Sequence, residues 1–306
     1  MIAIVGATGT LGGEIARRLL AANRPVIAIT RTPARAAPLA SLGAVVRAAD
    51  LTDRASLDAA LRDATAVCAA AHALLGRGKS RSSLVDDLGH RALIDAAAAR
   101  GVDRFVYTSV LGAMPQHPAP FWRIKSEIEE YLQASGLRSV ILRPAAFMEL
   151  HAHELIGKAV LKGGTVSILG RGERPLNFVS VRDVATFAVM ALTRSDIVDT
   201  TIEIGGPDNV SRNDVAALYA RDSGRPLRIR HLPIGVVRVL STVMAPIHPG
   251  VSEMLHASVV FETIDQSFDP TETLSRYPMA LTSLETFVRE RVAEATRANR
   301  GERGRS

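Results

Sequence analysis

A glycine-rich turn near the amino terminus constrains the fold more than any other feature of this sequence. Residues 6–12 read GATGTLG and lie between an apolar run at 2–5 and a helical pattern at 14–22. In a strand–turn–helix unit such glycines permit a tight turn, close approach of the backbone to a ligand and close helix–strand packing. The helix N-terminus offers N–H donors and partial positive charge to a pyrophosphate. An ordinary turn with incidental glycines is the alternative; we predict dinucleotide contacts from Gly6, Thr8, Gly9, Thr10, Leu11 and Gly12.

Short apolar runs alternate with helical patterns through the first half of the chain. This alternation is typical of right-handed βαβ crossovers around a parallel sheet, so the predicted fold class is α/β, a Rossmann-type doubly wound parallel sheet. The predicted strands lie near residues 2–5, 25–30, 44–48, 64–70, 103–108 and 138–142, and the predicted helices near 11–23, 53–62, 82–100 and 120–135.

After about residue 145 the alternation is less regular and predicts a smaller C-terminal α+β substrate lobe. Its predicted elements are a helix near 149–162, strands at 165–169, 177–181 and 201–204, and helices at 182–193 and from Ser211, with Asp214 completing a capping-box pattern. The expected domains are a Rossmann domain, residues 1–145 with returning segments near 176–205, and a substrate or partner lobe, residues 146–296. The basic residues 297–306 are expected to be a disordered tail.

Composition excludes some classes of function. The 306 residues are 47% hydrophobic and carry a net charge of +6, but the basic residues are dispersed, which argues against nucleic-acid binding. Without an apolar run of about 18 residues, or a charged leader before the first strand, we expect no transmembrane span and a cytoplasmic protein. The single cysteine, Cys68, lies in an apolar run and is expected to be a buried strand thiol.

The end of the second predicted strand indicates which dinucleotide binds. An acidic residue there would favour NAD, but this chain has Arg31, with Arg35 one turn further on. A guanidinium suits a 2′-phosphate, so the sequence predicts NADP(H) in preference to NAD(H), a solvent-facing arginine being the alternative. Asp50, after the third strand, could accept a hydrogen bond from the adenine amino group, cap the helix at 53–62, or do both.

Several motifs together resemble the short-chain dehydrogenase/reductase superfamily, and most closely its atypical branch of NmrA-like and isoflavone-reductase-type proteins. The carrying segments occur in order from residue 2 to about 232: GATGTLG at 6–12, TR at 30–31, DL at 50–51, FVYTS at 105–109, LRP at 142–144, FME at 147–149, FVSVRDVA at 178–185 and IGGP at 204–207. The resemblance implies further cofactor contacts at or after strand ends, from Leu51, Ala70, Ala71, Thr108, Ser109, Pro144 and Ala145, and one from Lys125 on the helix at 120–135.

The sequence departs from the superfamily at its usual catalytic motif, Tyr-x-x-x-Lys. Residues 121–125 read FWRIK, so Lys125 is present but Phe121 stands where the resemblance implies a proton-donating tyrosine. The superfamily's catalytic serine could align with Thr108, Ser109 or Val110. The sequence therefore argues against tyrosine-based carbonyl reduction, while the predicted cofactor pocket is unaffected.

Two residues remain as candidates for proton transfer. A desolvated Lys125 could act as an acid or base, and the resemblance to the isoflavone-reductase branch implies such a role for a lysine. The alternative is that Lys125 only holds the cofactor or only lies on the solvent-facing surface of a helix. His72, in the loop after the fourth strand, could donate a proton or merely contact solvent. His151 and His153 are two residues apart and do not share a helix face, so we expect no metal site.

The substrate side is predicted to include Phe121, Trp122, Phe147 and Met148. The apolar segment 232–260 could form a wall of this pocket, belong to the core or face a second copy in a homodimer.

The predicted function is an NADPH-dependent reductase of a small apolar carbonyl or quinone that works without the usual tyrosine. The alternative is a non-enzymatic NADP(H) sensor or assembly protein with a protein partner, and a lesser one is a sugar-nucleotide epimerase or dehydratase. The chain could be a monomer or a homodimer.

Overall fold

The computed structural model describes residues 1–73, 76, 78 and 81–303, with side chains up to residue 298. The chain divides into two compact units. The first contains residues 1–144, 181–203 and 244–254, and the second contains residues 145–180, 204–243 and the described chain from Leu255 onward.

A seven-stranded sheet organises the first unit. Its strands lie in the order β10-β6-β5-β4-β1-β2-β3, and the pairings from β3 across to β6 are all parallel. Parallel pairing places the carboxyl ends of these strands along one edge, where ligands bind in such folds. The strands are β1 (Ile2–Val5), β2 (Val26–Thr30), β3 (Val45–Ala48), β4 (Ala66–Ala69), β5 (Arg104–Thr108), β6 (Ser139–Pro144) and β10 (Thr200–Ile204).

Helices cover the sheet because its strands are apolar on both faces. Alternate strand residues such as Ile27, Phe105 and Tyr107 share a core with Leu93 and Ile128 from helices. One row of helices comprises α3, α4 and α5, while α1 packs on α7. The helices of this unit are α1 (Thr10–Ala21), α2 (Ala37–Ala40), α3 (Arg54–Ala60), α4 (His90–Ala99), α5 (Pro120–Ala134) and α7 (Val181–Thr193), with a 3₁₀ turn at Pro33–Ala36 and a π-helical segment at Ser83–Gly89.

The second unit combines short strands with helices. The strands β7 (Ala146–Phe147), β9 (Leu176–Val179) and β11 (Asn209–Val210) form one sheet, and β8 (Val166–Leu169) pairs with β12 (Ile229–Leu232). The capping box predicted between Ser211 and Asp214 is confirmed. The helices are α6 (Lys158–Leu161), α8 (Arg212–Ser223), α9 (Ile234–Met244), α10 (Pro249–Thr263, whose first turns belong to the first unit), α11 (Thr271–Arg276) and α12 (Leu284–Arg303).

The structure confirms the doubly wound α/β fold class and differs from the sequence expectations in local detail. The helix expected near 149–162 is a π-helical segment, Met148–Gly157, followed by α6. The helix α12 continues to Arg303, through most of the tail expected to be disordered, while residues 304–306 lie outside the described residues. Composition alone suggested disorder, but ion pairs one turn apart, such as Arg289–Glu285, stabilise a charged helix.

The apolar helix α9 is largely exposed, so core, one of the three alternatives for segment 232–260, does not hold for most of this helix. Val239 is 64% exposed, and Val236, Leu240 and Val243 are also exposed, whereas Val237 and Ser241 are buried.

Cys68 is buried in β4 as expected, and burial raises the pKa of its thiol to about 12. Within the described residues, no helix combines the length and apolarity that membrane crossing requires.

Candidate functional site

The glycine turn after β1 has the close backbone packing that its sequence predicts. Gly6 has φ +84°, and a side chain there would meet the backbone of Ala71 at 2.9 Å. A Cβ on Gly12 would lie against the Gly6 carbonyl oxygen. Gly6 O instead accepts a hydrogen bond from Gly9 N at 2.9 Å, which closes the turn. The turn therefore depends on the absence of side chains at Gly6 and Gly12.

The N-terminus of α1 fits an anionic group. Gly9 is the N-cap and provides no side-chain cap, and the first turn carries no acidic residue. Its backbone N–H groups and helix dipole thus face no negative side chain of that turn, as a pyrophosphate site requires. The hydroxyl oxygens of Thr8 and Thr30 lie 3.1 Å apart and link this turn to the end of β2.

The predicted adenosine-side residues follow β2 and β3. Arg31 and Arg35 are both exposed, Arg31 directly after β2 and Arg35 on the 3₁₀ turn. Asp50 does not cap α3, so that expectation is wrong. The N-cap is Asp53, which accepts from Ala55 N and Ser56 N, whereas Asp50 Oδ1 accepts from Thr52 N at 2.9 Å and Thr52 Oγ1 at 2.8 Å.

The other predicted cofactor residues lie at neighbouring strand ends. Ala70 N donates to Val5 O at 3.0 Å, Ala71 contacts the Gly6 turn, and Leu51 is buried. Pro144 ends β6, and its carbonyl oxygen accepts from Leu111 N at 2.9 Å. Ala145 belongs to the second unit, where its N–H donates to Ile204 O at 2.8 Å.

Lys125 is buried in the first unit although it carries an ammonium group. Its side chain is 2% exposed, and Nζ donates to Thr108 O at the end of β5 at 3.2 Å. Nζ also lies 4.9 Å from the ring centre of Tyr107 and 5.4 Å from that of Phe121, within cation–π range. Burial lowers the pKa of Lys125, and the Asp86 carboxylate opposes that shift.

Asp86 is the principal residue of this site that the sequence analysis missed. It lies on Ser83–Gly89, is fully buried, and places Oδ1 3.7 Å from Lys125 Nζ, an ion-pair distance too long for a hydrogen bond. Its Oδ2 accepts from Ser82 Oγ at 2.8 Å and from Ala73 N at 3.0 Å. The signal available in the sequence was the need of a buried lysine for a counter-ion on a neighbouring element.

Two histidines lie near this ion pair. His72 is exposed in the loop after β4; desolvation by the surrounding protein nevertheless lowers its pKa, with Asp86 opposing the shift. Solvent can therefore exchange protons with His72. His90 is fully buried, its Nδ1 lies 2.8 Å from Val85 O, and its Nε2 has no partner in the described chain. Burial lowers the pKa of His90 to about 4, so it is neutral at pH 7.

Hydrogen bonding distinguishes Thr108 from Ser109 at the position of the expected serine. Ser109 Oγ donates to Glu129, whose carboxylate also accepts from Arg143 Nη2 at 2.5 Å. The Thr108 hydroxyl is buried and has no partner within the described residues. Thr108 therefore retains a hydroxyl that a ligand could engage, while that of Ser109 is used internally, and Val110 has none.

The aromatic residues predicted for the substrate side have different environments. Phe121 is 7% exposed and contacts Lys125, whereas Trp122 Nε1 donates to Leu111 O at 3.0 Å and its ring stacks on His117. Trp122 is thus part of the packing around α5. Phe147 and Met148 belong to the second unit, where Phe147 is half-buried and Met148 fully buried.

Glu253, from α10, is a further acidic group near Phe121 that the sequence analysis did not identify. Its carboxylate accepts from the Phe121 backbone N–H, in the first turn of α5, and burial raises its pKa. The other oxygen, Oε2, has no hydrogen-bond partner in the described part of the chain.

No group of three or more histidine, cysteine or acidic side chains suited to a metal occurs among the described residues.

The chain is similar to several known proteins over most of its length. A photosystem II assembly factor of Guillardia theta is 29% identical over 94% of this chain and 92% of its own. An NAD(P)H azoreductase of Xenophilus azovorans is 31% identical over 74% of this chain and 76% of its own. The crystal structure of an NADPH-dependent quinone oxidoreductase from Escherichia coli, complexed with NADPH, has a TM-score of 0.76 and 28% identity, covering 94% of this chain and 98% of that one.

The fold and the glycine turn define an atypical short-chain dehydrogenase/reductase-type Rossmann protein. The sequence pattern of the NmrA-like family matches residues 1–288, and the chain belongs to that family. The resemblance expected from the motifs is thereby confirmed.

Proposed function

We propose that this protein is an NADPH-dependent reductase of a small apolar quinone or carbonyl compound. The observation that carries the proposal is the buried Lys125 ammonium. It is held at the end of β5, at the carboxyl edge of a Rossmann-type parallel sheet. The azoreductase and quinone oxidoreductase relatives support reductive chemistry.

The chain offers a suitable group to each part of the cofactor. The Gly6–Gly12 turn and the N-terminus of α1 would hold the pyrophosphate, and Arg31 with Arg35 would hold a 2′-phosphate. Lys125, on α5 with its Nζ at the end of β5, would hold the nicotinamide ribose. The residues therefore fit a dinucleotide, which when bound supplies a hydride to the substrate.

Lys125 is our candidate for the proton that accompanies hydride transfer. An ammonium has three donors; one bonds Thr108 O and Asp86 lies beside Nζ, so a further N–H can face the cofactor or substrate. Burial makes loss of the proton easier than in water, which suits an acid. The exposed imidazole of His72 can exchange protons with solvent and is the second candidate.

The test is NADPH oxidation by the purified protein with a panel of quinones and aromatic carbonyls. At least one compound is expected to be reduced, and Lys125→Met is expected to lower kcat by about 100-fold or more while NADPH binding changes much less. Lys158→Met, which removes a lysine from an exposed ion pair in the second unit, is the matched control. Equal turnover in Lys125→Met would remove Lys125 from the mechanism.

A second candidate function is a non-enzymatic NADP(H) sensor or assembly factor. The exposed apolar face of α9 and the similarity to the photosystem II assembly factor favour it, as does phenylalanine at position 121. In that case the same assay gives tight NADPH binding without oxidation by any compound.

A further inference from the structure

The two oxygens of the buried Asp86 carboxylate have different partners. Oδ2 accepts from the hydroxyl of Ser82 and from Ala73 N, four residues beyond β4. Oδ1 makes no hydrogen bond within the described residues and faces Lys125 Nζ at 3.7 Å. One carboxylate therefore contacts both the backbone after β4 and the lysine of α5.

We propose that Asp86 is a positioning residue that holds the Lys125 ammonium in place and fastens the backbone at Ala73 to the same carboxylate. Only the catalytic consequence of this inference rests on the proposed function; the positioning of the ammonium by Asp86 does not. The backbone at Ala73 and the Lys125 side chain are then coupled, because a carboxylate fixed by two neutral donors cannot leave the ammonium without breaking those bonds.

The other contacts of Lys125 cannot replace this counter-ion. Thr108 O is neutral, and the rings of Tyr107 and Phe121 offer only their π-faces. Glu129 lies on the same helix as Lys125, but its carboxylate accepts from Arg143 and Ser109. An ammonium buried without a carboxylate would be strongly disfavoured.

The remaining titratable groups around the pair include two histidines, a tyrosine and a further carboxylate. The pKa values of His72 and His90 are lowered, so both rings tend to be neutral, and the pKa of Tyr107 is raised well above its ordinary value by burial. Glu253 interacts electrostatically with Asp86 from α10, and burial raises the pKa of Glu253. Two carboxylates favour the charged form of Lys125, and Asp86 does so more strongly than Glu129.

Asp86→Asn keeps the shape of the side chain and removes its charge. The asparagine oxygen can still accept from Ala73 N and Ser82 Oγ, which leaves its amide group facing Lys125. Without the carboxylate, Lys125 should lose its proton at a pH lower by about one to three units. If Lys125 supplies a proton in turnover, the alkaline limb of the pH profile of kcat should also move to lower pH.

The experiment follows Lys125 directly by NMR of protein labelled with ¹³C-lysine. The chain contains four lysines, Lys79, Lys125, Lys158 and Lys162, so each signal can be assigned by substitution. The expected result is a lower titration midpoint for Lys125 in Asp86→Asn and an unchanged one in Asp87→Asn. The control neutralises the adjacent carboxylate, which pairs with Arg91. An unchanged midpoint in Asp86→Asn would overturn the proposal, whatever the outcome of the reductase assay.

A second measurement uses the unaltered protein and does not depend on the folding of a variant. If the Ala73 backbone and Lys125 share one carboxylate, the amide chemical shift of Ala73 should change with the same midpoint as the Lys125 titration. An Ala73 amide that is insensitive to that titration would overturn the coupling. Asp86→Glu, which retains the charge, should bring the midpoint back towards that of the unaltered protein.

Discussion

The Lys125 ammonium nitrogen lies 5.4 Å from the centre of the Phe121 ring, one helical turn away on α5. The four-residue spacing of the superfamily's tyrosine–lysine pair is therefore preserved, with a ring that cannot exchange a proton. The lysine keeps a buried position and a carboxylate partner, which is consistent with a continuing role in the first unit.

Phe121→Tyr should create a proton donor beside Lys125. The ring is already buried, and the ammonium should lower the pKa of the added phenol, so we expect carbonyl reduction to increase about tenfold or more. Steady-state kinetics with an aromatic ketone measure the change. Phe121→Leu is the control without a hydroxyl, and a Phe121→Tyr enzyme no faster than that control would contradict the prediction.

Arg31→Ala should weaken NADPH binding more than NADH binding. Loss of a charge-assisted bond to a 2′-phosphate should cost about 10- to 100-fold in NADPH affinity, with NADH changed much less. Nicotinamide fluorescence titrations give both dissociation constants. Arg24→Ala is the matched control, because this exposed arginine precedes β2 at its amino end. An unaltered NADPH-to-NADH ratio in Arg31→Ala would exclude the 2′-phosphate role.

Gly12→Ala should destabilise the turn that we assign to the pyrophosphate. The new Cβ would collide with the Gly6 carbonyl oxygen, and the backbone shift should cost about 1–3 kcal/mol of unfolding free energy. Urea unfolding and dinucleotide titration measure the two effects. Gly235→Ala, on α9 with no heavy atom within 4 Å of the added Cβ, should be neutral or slightly stabilising. Equal behaviour of the two variants would argue against the packing role of Gly12.

His90 should make the protein less stable on mild acidification. Its pKa falls from about 6.5 in the unfolded chain to about 4 in the fold. The unfolded chain therefore binds a proton between these pH values while the fold does not. Stability is fully present above pH 6.5 and falls as the pH approaches 4, by up to roughly 3 kcal/mol from this group.

The measurement for His90 is the unfolding free energy between pH 7 and 4.5. The His90→Gln variant should lose less stability over this range than the unaltered protein, whereas His231→Gln, at an exposed histidine, should keep the original slope. Parallel slopes for the unaltered protein and His90→Gln would contradict the prediction.

Local sequence was sufficient for the features that depend on neighbouring residues. The GATGTLG turn, the alternating strands and helices, the Ser211–Asp214 capping box and the buried Cys68 were all predictable from spacing and composition. These elements depend on backbone sterics, periodic burial and hydrogen bonds within a few residues. The departure at Phe121 was equally visible, because a motif is read along the chain.

Only the tertiary structure revealed the partners of Lys125. Asp86 is 39 positions away in sequence and reaches the lysine because the sheet brings the segment after β4 next to α5. The same packing engages the Ser109 hydroxyl with Glu129 and leaves that of Thr108 without a partner in the described chain. Burial and ion pairing across elements are set by the whole fold. The sequence therefore determined which residues could act, and the tertiary structure decided which of them are brought together.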